Sequence, residues 1–459
     1  MSLHLNNDEA ERIRRNVSEQ MVRAESDLAD LVRIPSINFP GYDRAPVVDC
    51  AHAIADLFDD AGATHVETLT GESGVPTVRA DLAGPPGAPT VLLYSHYDVQ
   101  PAGNTEKWKS PAFEPTIRDG RMYGRGAADD KSGVIAHLTC LRAISKNPPI
   151  GLRILIEGEE EHGGDFEEWP ANNPQAFAGL DAAVINDMGG VELGIPTFTT
   201  ELRGIAQGII TIRTLPGPVH SGLFGGPTPN ALTAMIKLLS TLTDDNDDCA
   251  IAGIPSGTWD GADVSEDLFR ALAGLDPKAH LVGTGSIADR LISKPAVSIV
   301  GIDAPSVDTA ATAIVPEARA KISVRIPAGA DWKEATAAIA QHIAENTPWG
   351  IEANFEPNMG AAGTRLNTHN DPYRVYSAAM ENAFGRGAVR QGAGGSIPFV
   401  ANLVAAFPDL PVIATGAQDP RASIHAPNES VDLSELFRTA TAETLFVAGL
   451  GATASERVR

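Results

Sequence analysis

Four short, largely apolar runs constrain most strongly what this chain can fold into: residues 91–94, 152–156, 182–185 and 412–414. Each is strand-length, is built mainly from Val, Ile, Leu and Ala, and is followed by polar or charged residues, the pattern of a strand buried on both faces. Helical spacing fills much of the rest. Ile13, Val17, Met21, Leu28, Leu31 and Val32 share one face of a long opening helix that stops before Pro35. A second helix spans about 46–61, with Pro near its start and Gly62 as its stop signal, and a third follows Gly133 with Val134, Ile135, Leu138 and Leu141 on one side. Buried strands alternating with helices predict an α/β domain with a doubly wound, mostly parallel sheet. Ligands of such sheets collect beyond the carboxyl ends of the strands, so the residues just after each run carry the functional information.

At 459 residues the chain exceeds a single core. Its texture changes near Gly204: strand-like segments at 208–214, 296–300, 321–326 and 351–355, helices at 229–242 and 331–345, and an irregular stretch at 244–276 to which no role is assigned. Residues 357–370 read as a return linker, after which 373–384, 398–407, 412–414 and 433–447 resume the alternation. Residues 1–203 and 367–459 are therefore expected to form one domain, with an α+β domain, 204–366, inserted in it. A formal charge of -24 argues against a nucleic-acid partner. No run reaches the roughly 18 apolar residues that would cross a membrane, and the polar N-terminus lacks a signal-peptide core. Three widely spaced cysteines, Cys50, Cys140 and Cys249, suit neither a disulfide framework nor a thiolate cluster, so a cytoplasmic protein is expected.

His96 and Asp98 follow the first run, two apart on an extended segment and so pointing the same way. Asp98 is placed to orient the ring if His96 binds a metal; the plain alternative is a surface pair. In Gly124-Arg125-Gly126-Ala127-Ala128-Asp129-Asp130-Lys131-Ser132-Gly133 an aspartate stands where a dinucleotide fingerprint needs its third glycine, and the two aspartates read equally as helix caps or as ligands. The second run is followed by Glu157-Gly158-Glu159-Glu160-Glu161-His162, whose carboxylates repel unless solvent or a cation compensates. Asp187 follows the third run, and His425, in Ser423-Ile424-His425-Ala426-Pro427-Asn428-Glu429, lies downstream of the fourth. Each signal alone is weak. Gathered at one sheet edge they match a two-metal hydrolase site, whose ions stand about 3.5 to 4 Å apart and clamp a water.

The ordered motifs Ser95-His96-Tyr97-Asp98, Gly124-Arg125-Gly126 through Asp129-Asp130-Lys131, Glu160-Glu161-His162-Gly163 and His425 resemble those of a di-zinc metallopeptidase family. That family includes carnosinase and other cytosolic dipeptidases, aminoacylase, carboxypeptidase G and succinyl-diaminopimelate desuccinylase. The resemblance runs from Leu31-Val32-Arg33-Ile34-Pro35-Ser36 to the C-terminal helix. It implies that His96 and Asp187 hold one zinc, Glu161 and His425 the other, and that Asp129 bridges both. Asp98 then backs His96, and Glu160 is the general base that takes the water's proton and passes it to the leaving amine. Two Zn²⁺ per subunit follow, with Mn²⁺ or Co²⁺ as substitutes.

The resemblance also makes the insert a dimerisation or lid domain. His220, in Pro218-Val219-His220-Ser221-Gly222, would reach across a homodimer to stabilise the oxyanion in the partner's site; without the resemblance it reads as a turn residue. Arg325 would hold the substrate carboxylate, and Gly395 and Ser396 would complete that pocket, Ser396 doubling as the cap of the helix that begins at Pro398. Many relatives carry Asn shortly before residues 315–316, where this chain has Thr312 and Ala313, which leaves the carboxylate side of the substrate open. His162 replaces a small or apolar residue and reads as exposed or as backing a ligand. The implied activity is hydrolysis of a dipeptide or similar small peptide, the carnosinase-like branch being favoured by chain length and the Gly-rich histidine motif. An N-acyl-amino-acid deacylase is the alternative. A metal-stabilised binding protein ranks lower because Glu160 and every other position needed for chemistry are present. A cysteine hydrolase ranks last because no cysteine lies in a nucleophile-like context.

Overall fold

The opening helix starts where its own side chains can close it: Asn6 accepts from the Glu9 amide and Glu9 reaches back to the Asn6 amide. A computed structural model of the chain describes residues 3, 5–395 and 397–458, with the side chains of 455–458 left aside. In chain order the principal elements begin with α1 (Asn7–Val32), α2 (Ala45–Asp60), β1 (His65–Thr70), β2 (Pro76–Leu82), β3 (Thr90–His96), α3 (Lys131–Ile144), β4 (Gly151–Glu157), β5 (Ala182–Ile185) and β6 (Thr197–Leu202). Then come β7 (Gly204–Arg213), α4 (Ala231–Leu239), β8 (Ala296–Asp303), β9 (Glu317–Ile326), α5 (Trp332–Asn346) and β10 (Ala353–Ala361). The chain closes with α6 (Asp371–Phe384), α7 (Pro398–Ala406), β11 (Val412–Ala414) and α8 (Leu433–Val458).

Two compact units result. The first comprises residues up to Thr200, Leu366–Gln391 and the chain from Ile397 onward; the second is Glu201–Arg365 with a short segment from Gly392. In the first, the sheet order is β1-β2-β4-β3-β5-β11-β6. Its centre, β4-β3-β5-β11, is parallel, and the flanking strands are antiparallel. Alternation along β3 fills both faces: Val91 and Leu93 join the core with α1, α3 and α8, while Tyr94 stacks on Phe399 of α7 with ring centroids 4.2 Å apart. A sheet covered on both faces is the α/β architecture expected from the sequence.

The second unit is an antiparallel sheet, β8-β9-β7-β10. β9 alternates buried and partly exposed residues, and Ile322 and Val324 pack with Leu238 of α4 and Ile339 of α5, so the helices cover one face. β8 is an edge strand whose Ile299, Val300 and Ile302 are exposed.

Some elements escape the sequence reading. β1 and β6 are strands too polar to register as apolar runs, and the stretch 244–276 contains a capped helix, Glu266–Ala273. Residues 357–361 are strand rather than linker. β10 continues through Pro357 by a register shift at Pro357/Met359, and proline is tolerated there because β10 is an edge. The N-cap position of α7 falls on Ile397, not Ser396, and Ser396 itself lies outside the described residues.

Candidate active site

Strand register puts the predicted residues side by side. His96 closes β3 opposite Glu157 of β4, and Tyr94 of β3 and Ala414 of β11 each pair with Ile185 of β5. Everything following these strands therefore leaves from one edge: Glu160 and Glu161 after β4, Asp187 after β5, and the loop with Gln418 and His425 after β11. Asp129 and Asp130 arrive at the same edge at the start of α3.

Asp129 is the hub. Its Oδ1 lies 3.2 Å from His96 Nε2 and its Oδ2 lies 2.9 Å from His425 Nε2, one oxygen for each imidazole. His96 Nε2 is also 3.7 Å from Asp187 Oδ1, and His425 Nε2 is 3.1 Å from Glu161 Oε2. Behind His96, Asp98 Oδ1 stands 3.3 Å from Nδ1, and the same carboxylate accepts the amides of Glu160 and Glu161 at 3.2 and 3.0 Å. Asp98 thus fixes the His96 ring and the Glu pair together.

Two groups of donors emerge, His96 with Asp130 and Asp187, and Asp129 with Glu161 and His425; within each, one atom per residue lies within 4.8 Å of the others. Their imidazole nitrogens and carboxylate oxygens are the donors borderline and hard divalent cations take. Asp130 combines the roles left open in the sequence: Oδ1 caps α3 through the Gly133 amide, Oδ2 accepts from the His96 amide, and the side chain stands within the first donor group.

Six carboxylates, from Asp98, Asp129, Asp130, Glu160, Glu161 and Asp187, surround two imidazoles. Burial, reinforced by Asp129 and Glu161 and opposed by His96, pushes Asp187 up to about 6. Burial also holds Glu160 well above the usual carboxylate range, with Asp187, Asp129 and Asp98 adding to it against His96. Hydrogen bonds to Asp129 and Glu161 raise His425 to about 10. An excess of enclosed negative charge with histidine nitrogens facing inward fits a bound cation, which would reverse the carboxylate shifts. Among the described residues, no hydrogen bond or ion pair engages the Glu160 carboxylate.

Supporting residues missed by the sequence reading include Gln418, whose Nε2 donates to Asp187 at 3.3 Å and Asp129 at 3.5 Å, and Gln100, whose amide and side chain donate to Glu161 at 3.1 and 2.8 Å. Gln418 follows β11, so its strand-end placement was the available signal. Beneath the edge, buried Glu443 of α8 meets His137 of α3 at 2.9 Å and Asn186 at 3.3 Å, tying two helices to the strand end that carries Asp187.

Asp98→Asn should keep the fold and weaken metal binding roughly 10- to 100-fold, the usual cost of losing a carboxylate behind a ligating histidine. Competition with a chromophoric chelator measures it. Glu157 gives a separate test. It is buried beside Tyr94, whose hydroxyl donates to it, and burial raises it to about 8. Between the unfolded carboxylate value and pH 8 the unfolded chain has released this proton while the folded one retains it, so folding is penalised increasingly as pH rises. Glu157→Gln should therefore gain stability relative to the parent from about pH 4.5 to 8, read as the difference in Tm of the metal-free proteins across that range.

His220, Arg325 and Gly395 belong to the second unit, and Ser396 is outside the described residues. His220 is exposed and its Nδ1 accepts from the Gly222 amide at 3.0 Å, which assigns the ring proton to Nε2. Its backbone is not a turn: Val219 and His220 pair antiparallel with Ile314 and Ala313, and His220 then caps the short helix Ser221–Phe224. Arg325 is the penultimate residue of β9, and among the described residues no carboxylate lies within ion-pair distance of it. Gly395 is exposed, with no neighbour within 4 Å of where a Cβ would stand. His162 is exposed, its ring 4.8 Å from that of Phe39. Burial raises all three cysteine thiols, which leaves them poor nucleophiles.

The family model described as Peptidase family M20/M25/M40 matches residues 92–448. A cysteinylglycine-S-conjugate dipeptidase of Corynebacterium striatum is 37% identical over 374 residues, covering 79% of this chain and 82% of that one. A Cys-Gly metallodipeptidase of Schizosaccharomyces pombe is 26% identical over 443 residues, covering 90% and 92%. Among solved structures, human carnosine dipeptidase 1 superposes with a TM-score of 0.77 at 21% identity, covering 96% of this chain and 98% of that one. The dipeptidase Dug1p of Saccharomyces cerevisiae gives the same TM-score of 0.77 at 22% identity and the same coverage, 96% and 98%. The likeness to these two structures is one of fold.

Proposed function

Because this chain belongs to peptidase family M20/M25/M40, we propose that it is a metal-dependent dipeptidase in which Glu160 is the general base at a centre of two zinc ions. The observation that carries this reading is Asp129, with one oxygen facing His96 and the other facing His425. His96 and Asp187 would hold one ion, Glu161 and His425 the second, and Asp129 both, with Mn²⁺ or Co²⁺ able to replace zinc. When bound, the ions supply Lewis acidity that lowers the pKa of a shared water toward roughly 7.

Glu160 is suited to the proton's path because its neighbour Glu161 takes the ligand position while its own carboxylate is unengaged. Glu160 accepts the proton of the attacking water and returns it to the departing amine, so one group serves as base and then as acid. Asp98 keeps Glu160 and Glu161 in register through their amides.

For the substrate we assign Arg325 to the free carboxylate, with the Gly395 backbone and Ser396 beside it. Arg325 has no acidic partner among the described residues, and a guanidinium fork suits a terminal carboxylate. His220, exposed and carrying its proton on Nε2, is assigned to oxyanion stabilisation in a partner's site, which requires a homodimer. The exposed apolar side chains of β8 supply a surface for such pairing. No helix among the described residues is long and apolar enough to cross a membrane. Its free cysteines and net charge of -24 support our reading of a cytoplasmic protein that takes small peptides rather than nucleic acid as partners.

The names of the relatives favour dipeptides, Cys-Gly among them, over acylated amino acids. A panel of dipeptides assayed beside N-acetyl amino acids with added Zn²⁺ or Mn²⁺ tests this. Turnover of the dipeptides is expected; turnover confined to the acylated substrates would replace the reading with a deacylase.

A further inference from the structure

We propose that Glu429, paired with Arg125, is a positioning residue that holds the two ligand-bearing loops of the centre in one geometry; this rests on the metal-centre reading above. Glu429 is fully buried. Its Oε1 accepts the amides of Ala128 at 3.0 Å and of Asp129 itself at 3.1 Å, and its Oε2 accepts from Arg125 at 2.6 Å. Arg125 is 1% exposed and also donates to the Pro101 carbonyl at 3.2 Å. The Glu429 carbonyl accepts from the Gly124 amide at 3.0 Å. One residue therefore bonds both ends of the segment 124–129, and it lies four positions after His425 on the other loop. The carboxylate and the imidazole that face each other at 2.9 Å are held by the same anchor.

The His425 loop needs an anchor. Ser423, His425 and Asn428 all adopt left-handed backbone, with φ of 54°, 60° and 67°. For Ser423 and His425, residues with a Cβ that rarely adopt it, such backbone persists only where surrounding contacts impose it. Asn428 supplies one pin, accepting from the Lys109 amide at 2.7 Å and donating to the Lys107 carbonyl at 2.9 Å. Glu429 supplies the other. It is the pin that reaches the opposing ligand, and breaking a buried ion pair leaves an uncompensated charge there.

Glu429→Gln keeps an acceptor for the two amides but turns an amide nitrogen toward Arg125, donor against donor. Arg125→Lys keeps the charge and loses the fork. The test uses the intact chain and measures Zn²⁺ affinity by chelator competition, with kcat and KM for a dipeptide at low and high Zn²⁺. Glu429→Gln is expected to weaken Zn²⁺ binding at least tenfold and to lower kcat with KM within about twofold, the loss being partly restored by excess Zn²⁺. Arg125→Lys should fall between it and the parent, and it carries the test if Glu429→Gln does not fold. A folded variant with parental Zn²⁺ affinity and kcat overturns the clamp alone. A parent chain that binds no Zn²⁺ overturns the metal-centre reading and the clamp together.

Discussion

Glu160→Gln is expected to reduce dipeptide turnover by at least about 10³-fold while both metal ions stay bound, because it removes a proton acceptor and no ligand. Gln is nearly isosteric and leaves the backbone amide of position 160 on Asp98, so the site should keep its shape. The pairing of outcomes is the informative part. Loss of turnover together with loss of metal would make Glu160 a ligand, and turnover within tenfold of the parent would remove it from the proton's path. Metal content by elemental analysis and kcat under saturating substrate separate these cases. The charge environment predicts a secondary effect. Glu160 is held above its ordinary range by burial and by Asp187, Asp129 and Asp98, so Glu160→Gln should stabilise the metal-free protein at neutral pH while inactivating the loaded one.

Asp129→Ala should act in the opposite sense on the metal. It deletes the carboxylate that faces both His96 and His425, so the two imidazoles lose the group that stands between them. We expect affinity for divalent ions to fall by more than the roughly 100-fold limit for losing a supporting group, and turnover to vanish. The imidazoles report it independently. His425 is raised to about 10 mainly by its hydrogen bond to Asp129, with Glu161 second, and it should titrate closer to an ordinary histidine in metal-free Asp129→Ala. Two-dimensional NMR of the imidazole protons reads this shift. An unchanged His425 titration would mean that the observed 2.9 Å approach does not govern its charge.

The central parallel strands were legible because burial on both faces favours short continuous apolar runs, and β3 and β5 are buried at nearly every residue. β6 escaped because it reads Thr-Phe-Thr-Thr-Glu-Leu; threonine suits a strand through its branched Cβ, yet it does not mark an apolar run. In the candidate site, His96, Asp129, Glu161, Asp187 and His425 could be gathered on paper because each follows a strand or opens a helix and each is a metal-ligand type. Gln418 and Glu429 each carry only half of that mark: Gln418 follows a strand without being a usual ligand type, and Glu429 is a ligand type that neither follows a strand nor opens a helix. Gln418 meets Asp129 across 289 positions of sequence, and Glu429 meets the Asp129 amide across 300, so only the folded chain reveals what they hold. Asp130 shows a third limit: a cap and a ligand look alike in sequence, and here one side chain occupies both settings.

Metal binding and hydrolysis are expected to rise together. Metal-free chain, prepared with chelator, should be inactive on a dipeptide and regain activity as Zn²⁺ or Mn²⁺ is titrated in, with the rise ending at two equivalents per chain. Hydrolysis at the parental rate in the presence of excess chelator would contradict it, as would binding of two equivalents with no dipeptide turned over.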